Sequence, residues 1–196
     1  AHHRPEWSAV RWINIDGLTD MNVIHAMAAK YQLHPLAIED LLHIPQRPKV
    51  ETVGGSDSEL QTRLFIIARM LQIHEGHLEH EQISIFLGHK TVLTFQENHG
   101  DVWDSIRQRI QMKGSRLRQN DASFLVYALL DAIVDQCFPI LEYYGDQLED
   151  LEELVLSDPQ RTTISAIHKI KRELLLLRRA AWPMREVISI LHKEPH

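Results

Sequence analysis

At 196 residues, 44% hydrophobic and 24% charged, the chain has the make-up of a folded globular protein that buries one core, or a compact domain plus an extended element. A formal charge of −6 argues against the basic stripe of a nucleic-acid-binding surface, and the single cysteine, Cys137, excludes an intrachain disulfide and fits a reducing compartment. No signal peptide opens the sequence, and the nearest candidate span, residues 124–134, is short of the roughly 20 residues a membrane helix needs and contains Asp131, so the chain is expected to be soluble.

Residues 9–15 (Ala-Val-Arg-Trp-Ile-Asn-Ile) predict a strand, ended by a turn at Asp16-Gly17. Thr19 or Asp20 is placed to cap a helix running to about Tyr31, with Val23, Ile24, Met27 and Ala28 on one face. A second short helix follows, with Pro35 at its first position and Leu36, Ile38, Leu41 and Leu42 as its apolar residues. Pro45 and Pro48 end it, and Arg47 and Lys49 come directly after. Glu39 and Asp40 lie side by side on this proline-bracketed helix, pointing about 100° apart. They read either as a surface pair or as two hard oxygen donors for a divalent cation.

Residues 52–59 contain Gly54, Gly55 and Ser56 and predict a loop. Residues 63–73, 82–87 and 91–96 predict three strands in an antiparallel meander, with tight connections at Gly76 and at Gly88-His89-Lys90. Asp101 or Asp104 is expected to cap a helix with Val102, Ile106 and Ile110 inward and Arg107, Arg109 and Lys113 outward. Beyond Asp121 only helices are predicted. Residues 122–137 are almost wholly apolar, hence a buried helix. The next helix repeats Leu141, Tyr144, Leu148, Leu151 and Val155 beneath an acidic face (Glu142, Asp146, Glu149, Asp150, Glu152, Glu153) and breaks at Asp158-Pro159. The last carries a heptad seam of Ile167, Ile170, Leu174, Leu177, Ala181, Met184, Ile188 and Leu191 between basic flanks, with Pro183 inside it. It is expected to pack antiparallel to the acidic helix, and its pattern is still in register at His192, where a continuation is expected. The organisation is therefore an α/β part over residues 1–120, a helical region over 121–162, and the start of a long helix over 163–196.

Asp131 and Asp135 are four apart and so share a face of the apolar helix, where like charges repel. A divalent cation, or a basic side chain such as Arg107, Arg116 or Arg118, is expected to offset them. The run His74-Glu-Gly-His-Leu-Glu-His-Glu81 suggests zinc by composition, but Leu78 stands where a zincin motif has its second histidine, and a polar turn is the simpler reading. No nucleophile elbow or phosphate-cradling glycine loop is present, so an enzyme is not expected.

His34-Pro-Leu with Glu39-Asp40, then Gln46-Arg-Pro-Lys-Val-Glu51, resembles the signature of the CorA family of magnesium and cobalt transport proteins. The likeness extends over residues 100–110, 130–135, 148–156 and 177–187. It implies an α+β fold, an α/β sandwich with a mixed, largely antiparallel sheet, followed by long antiparallel helices and a truncated stalk helix. It also implies the cytoplasmic, metal-sensing domain of a divalent-cation channel at the inner membrane, reaching the bilayer only through C-terminal helices beyond this chain, and lacking one or more early strands. The family assembles as a pentamer; a monomer is the other state expected of the shorter chain. Mg2+, with Co2+ or Zn2+ as alternatives, is the implied ligand, and no organic cofactor or nucleic acid is implied. The resemblance assigns Glu39 and Asp40 to one side of a metal site between subunits and Asp131, with Asp135, to the other, holding the closed state. Two departures stand out: Pro45 replaces the histidine common before Gln-Arg-Pro-Lys, and the stalk carboxylate expected opposite Asp40 lies beyond His196. A zinc-transporting branch of the superfamily, favoured mildly by the His-rich run, and a coiled-coil scaffold are the alternatives.

Overall fold

The runs of β-branched and aromatic residues between 63 and 96 are apolar on both sides of each strand, so they need cover on both faces. In a computed structural model, which describes residues 10–55, 62–157 and 161–193, they form the centre of a five-stranded sheet. Its strands are β1 (Arg11–Asp16), β2 (Lys49–Val53), β3 (Arg63–His74), β4 (His77–Gly88) and β5 (Thr91–Gln96), in the order β1-β5-β4-β3-β2. The predicted meander is present, in register Ile66 to Ile85 and Phe86 to Leu93. β1 lies parallel to β5, which makes the sheet mixed. The loop expected from residue 52 starts later, because Thr52 and Val53 pair with Leu64 and Arg63; residues 56–59 of that prediction fall outside the described residues.

Two helices cover one face. α1 (Met21–Tyr31) is capped by Asp20, whose carboxylate accepts from the Asn22 and Val23 N–H groups, and α2 (Pro35–Leu42) follows. Ile24, Ala37, Ile38 and Leu41 pack there against Phe65, Phe86 and Phe95. The other face carries α3 (Asp104–Gln111), α4 (Arg116–Gln119) and α5 (Ala122–Asp135), which bury Ile106, Leu117, Leu125, Leu129 and Ile133 against Ile66, Ala68 and Ile85. Neither predicted aspartate caps α3: Trp103 stands at that position, and Asp101 instead accepts from the Trp103 N–H at 2.9 Å. Arg107, expected to face outward, pairs with the buried Asp101 and lies over the Trp12 ring, because a buried carboxylate needs a cation beside it.

α6 (Cys137–Ser157) continues α5, and α7 (Arg161–Lys193) runs back along it as the predicted hairpin. The joined α5–α6 run contains a stretch long and apolar enough to cross a membrane by length and composition, more than residues 124–134 alone suggest. Its apolar face is packed, however: Leu125, Val126, Leu129 and Leu130 are buried in the core. The α6–α7 hairpin has its own cluster of Ile140, Tyr144, Leu151, Ile170 and Leu177, which also takes in Leu71 and Leu78 of the β3–β4 hairpin. The α7 seam is rotated from the predicted one. Ile170, Leu177 and Met184 are buried as expected, but Glu173, Ala180 and Val187 alternate with them, while Ile167 and Ile188 are exposed. A reading by apolarity passes over Glu173, whose carboxylate is buried because the Tyr144 hydroxyl donates to it at 3.1 Å. Among the described residues no acid of α6 pairs with a base of α7, so this helix pair rests on apolar packing and the Tyr144–Glu173 bond. The fold class is α+β, as the sequence predicts.

Candidate functional site

α2 is a rigid platform. The His34 Nδ1 accepts from the Leu36 N–H at 3.2 Å, Pro35 fills the first turn, and Ala37, Ile38 and Leu41 are anchored in the core. Those three residues define the inward face, so Leu36, expected to be apolar cover, lies outward and is 64% exposed. On a 3.6-residue period it shares that outer side with Glu39 and Asp40. Glu39 is exposed and Asp40 half-buried.

Asp40 is already held. Its Oδ2 accepts from Lys49 Nζ at 2.7 Å, and its Oδ1 accepts from Gln46 Nε2 at 3.3 Å. Lys49 Nζ also donates to Glu51 Oε1, at 2.8 Å. Burial alone would lower the Lys49 pKa; the hydrogen bonds and charges of Asp40 and Glu51 outweigh it, and the net shift is upward. The turn after α2 is sewn to the sheet. The Gln46 N–H donates to Gln82 Oε1 at 2.7 Å, Gln82 Nε2 donates to the Asp40 carbonyl at 3.3 Å, and the Arg69 guanidinium donates to the Gln46 carbonyl. Arg47 reaches across to α7, where it meets Glu186 at 2.9 Å.

Asp131 and Asp135 project from α5, both exposed, and among the described residues neither makes an ion pair. Of the two groups expected to offset them, the basic side chain is not seen among the described residues; as exposed carboxylates they are screened by water. Of the bases considered, Arg107 serves Asp101 and Asp104, and Arg116 lies over the Phe124 ring. Asp131 edges a cleft between α5 and α7 with Tyr127, Leu130, Ile188 and His192.

The two acidic pairs do not meet in one chain. α2 packs on one face of the sheet and α5 on the other. Among the described residues no three His, Cys, Asp or Glu side chains converge on a point where an ion could sit. The His-rich run is likewise dispersed: His74 faces Glu79, His77 faces Glu173 on α7, and His80 faces Arg69. Sequence reasoning missed Lys49, Gln46 and Gln82 as the immediate surroundings of Asp40. The Gln46-Arg-Pro-Lys49 string carried the signal for two of them. In kind, the donors fit a hard cation such as Mg2+, which takes one or two carboxylates and keeps several waters.

The family model described as CorA-like Mg2+ transporter protein matches residues 7–196. The chain belongs to the CorA-like family. It is 39% identical over 191 residues to the cobalt/magnesium transport protein CorA of Thermotoga maritima, a match that takes in 95% of this chain and 52% of that protein. The chain thus spans about half the length of that curated relative. In fold it resembles the soluble domain of CorA from Methanocaldococcus jannaschii, with a TM-score of 0.77 over 94% of this chain and 71% of that one at 20% identity. It also resembles the ZntB cytoplasmic domain from Vibrio parahaemolyticus, with a TM-score of 0.71 over 92% of this chain and 68% of that one at 14% identity. At such identities the likeness to solved structures is one of fold alone.

Proposed function

We propose that the chain is the cytoplasmic, cation-sensing domain of a CorA-type Mg2+/Co2+ channel at the inner membrane, and that it works as a homo-oligomer, a pentamer when full-length. Glu39 and Asp40 of one protomer face Asp131 and Asp135 of the next. A divalent cation between them offsets their repulsion and favours the closed state; when the cation is scarce, the carboxylates repel and the subunits separate. The ion favours whichever state binds it better, which is all that linkage requires. The observation that carries this reading is the placement of two solvent-accessible acidic pairs on opposite sides of one sheet, which only a second copy can bring together.

Hard carboxylate oxygens suit magnesium, and cobalt is added because the chain is similar to a cobalt/magnesium transport protein. The zinc-transporting alternative draws on the histidines at 74, 77 and 80, whose separate partners give it little support. Calorimetry of the full-length, oligomeric protein with Mg2+, Co2+ and Zn2+ tests both. Asp40→Ala and Asp131→Ala are each expected to weaken Mg2+ binding by at least roughly tenfold, as losing one of few ligands does. Equal heats in wild type and both variants would reject the site, and tight Zn2+ binding insensitive to either change would favour the alternative.

A further inference from the structure

Lys49 Nζ lies between two carboxylates, 2.7 Å from Asp40 Oδ2 and 2.8 Å from Glu51 Oε1, with its side chain only 28% exposed. A cation therefore already occupies one oxygen of the proposed cation-binding aspartate. The pair is half-buried, so bulk salt screens it less than an exposed one. Its surroundings allow Lys49 to leave Asp40 without being stranded. Glu51 lies two residues along β2, hence on the same side of the strand, and already shares the ammonium. Neighbouring Glu39, by contrast, is exposed and makes no such pair among the described residues.

We propose that Lys49 is an internal competitor that sets the cation concentration at which the Asp40 site fills. This rests on the sensing reading above. With no divalent ion bound, Lys49 bridges Asp40 and Glu51 and offsets part of the platform's negative charge. A divalent cation reaches Asp40 Oδ2 only by displacing the ammonium, which then stays on Glu51. No covalent change and no proton transfer are needed. Lys49 thus raises the concentration required, while Glu51 lowers it by holding the displaced side chain.

Mg2+ calorimetry on the full-length oligomer tests this, with thermal melts in EDTA and in Mg2+ to establish folding. Lys49→Met and Lys49→Gln should bind Mg2+ roughly five- to tenfold more tightly than wild type, the range for losing one partly buried charged hydrogen bond. Glu51→Gln should bind it more weakly, since Lys49 then has only Asp40. In EDTA Lys49→Met should melt below wild type, and Mg2+ should raise its Tm by more than it raises that of wild type. A merely structural lysine predicts weaker binding in both lysine variants, and equal or weaker binding there, with Asp40→Asn still impaired, overturns the competitor role alone. If Asp40→Asn binds as wild type does, the sensing reading falls and the competitor role falls with it.

Discussion

Asp40 is half-buried and held by its neighbours rather than free in solvent. Its contacts with Lys49 and Gln46 fix its rotamer, and Gln82 and Arg69 hold the turn that supplies them. A different carboxylate is only partly compensated. Glu81 of β4 is buried, and burial raises its pKa; the N–H groups of Asn98, donating at 2.8 Å, and of Glu97 oppose this, while the charges of Glu97 and Asp16 add to it. A group whose pKa is raised on folding favours the folded state below its unfolded pKa and loses that contribution as pH climbs through the folded value. Glu81→Gln keeps the acceptor for Asn98 and removes the charge. It should melt higher than wild type at pH 7, with the gap closing below the ordinary glutamate range. A variant less stable than wild type at pH 7 would contradict this account of Glu81.

At the scale of elements, α7 ties the molecule together, closing the core on the sheet with Met184 and Val187 and the hairpin cluster with Ile170 and Leu177. Leu177 is 7% exposed, so Leu177→Asp buries a charge with no partner and should cost about 3–5 kcal/mol, visible as lost helix content and a lower denaturation midpoint. Unchanged stability would mean that the seam is not buried there. Local signals explain what the sequence made legible. Asp20 before α1, Pro35 in α2 and the glycine turns of the meander each act within a few residues and could be read directly. The parallel pairing of Arg11–Asp16 with Thr91–Gln96 joins strands some eighty residues apart, and no local pattern encodes it. The rotated seam was missed because Glu173 reads as surface until Tyr144 of another helix is placed beside it. The shared face of Asp131 and Asp135 could be read from their spacing, but their exposure could not, since a nearly all-apolar helix gives little sign of which side meets water. Lys49 stood in plain view next to Pro48; its bond to Asp40 depends on how the turn folds back from α2 to β2.

For the whole molecule, the sheet is the partition that matters. It sets the α2 platform on one side and the α5 aspartates on the other, so a shared ion requires a neighbour that presents the opposite face. Such a contact is head-to-tail, and head-to-tail contacts that close give rings. The alternative, an ion held within one chain, has a different genetic signature. The deciding measurement is Mg2+ binding by full-length oligomers assembled from Asp40→Ala protomers, from Asp131→Ala protomers, and from an equal mixture of the two. Each variant alone should bind Mg2+ at least roughly tenfold more weakly than wild type. In the mixture, an interface formed by Asp40 of an Asp131→Ala protomer and Asp131 of an Asp40→Ala protomer is intact, so roughly a quarter of the wild-type sites should return if protomers mix at random. Mixed oligomers that bind no more Mg2+ than the single variants would contradict a site shared between copies.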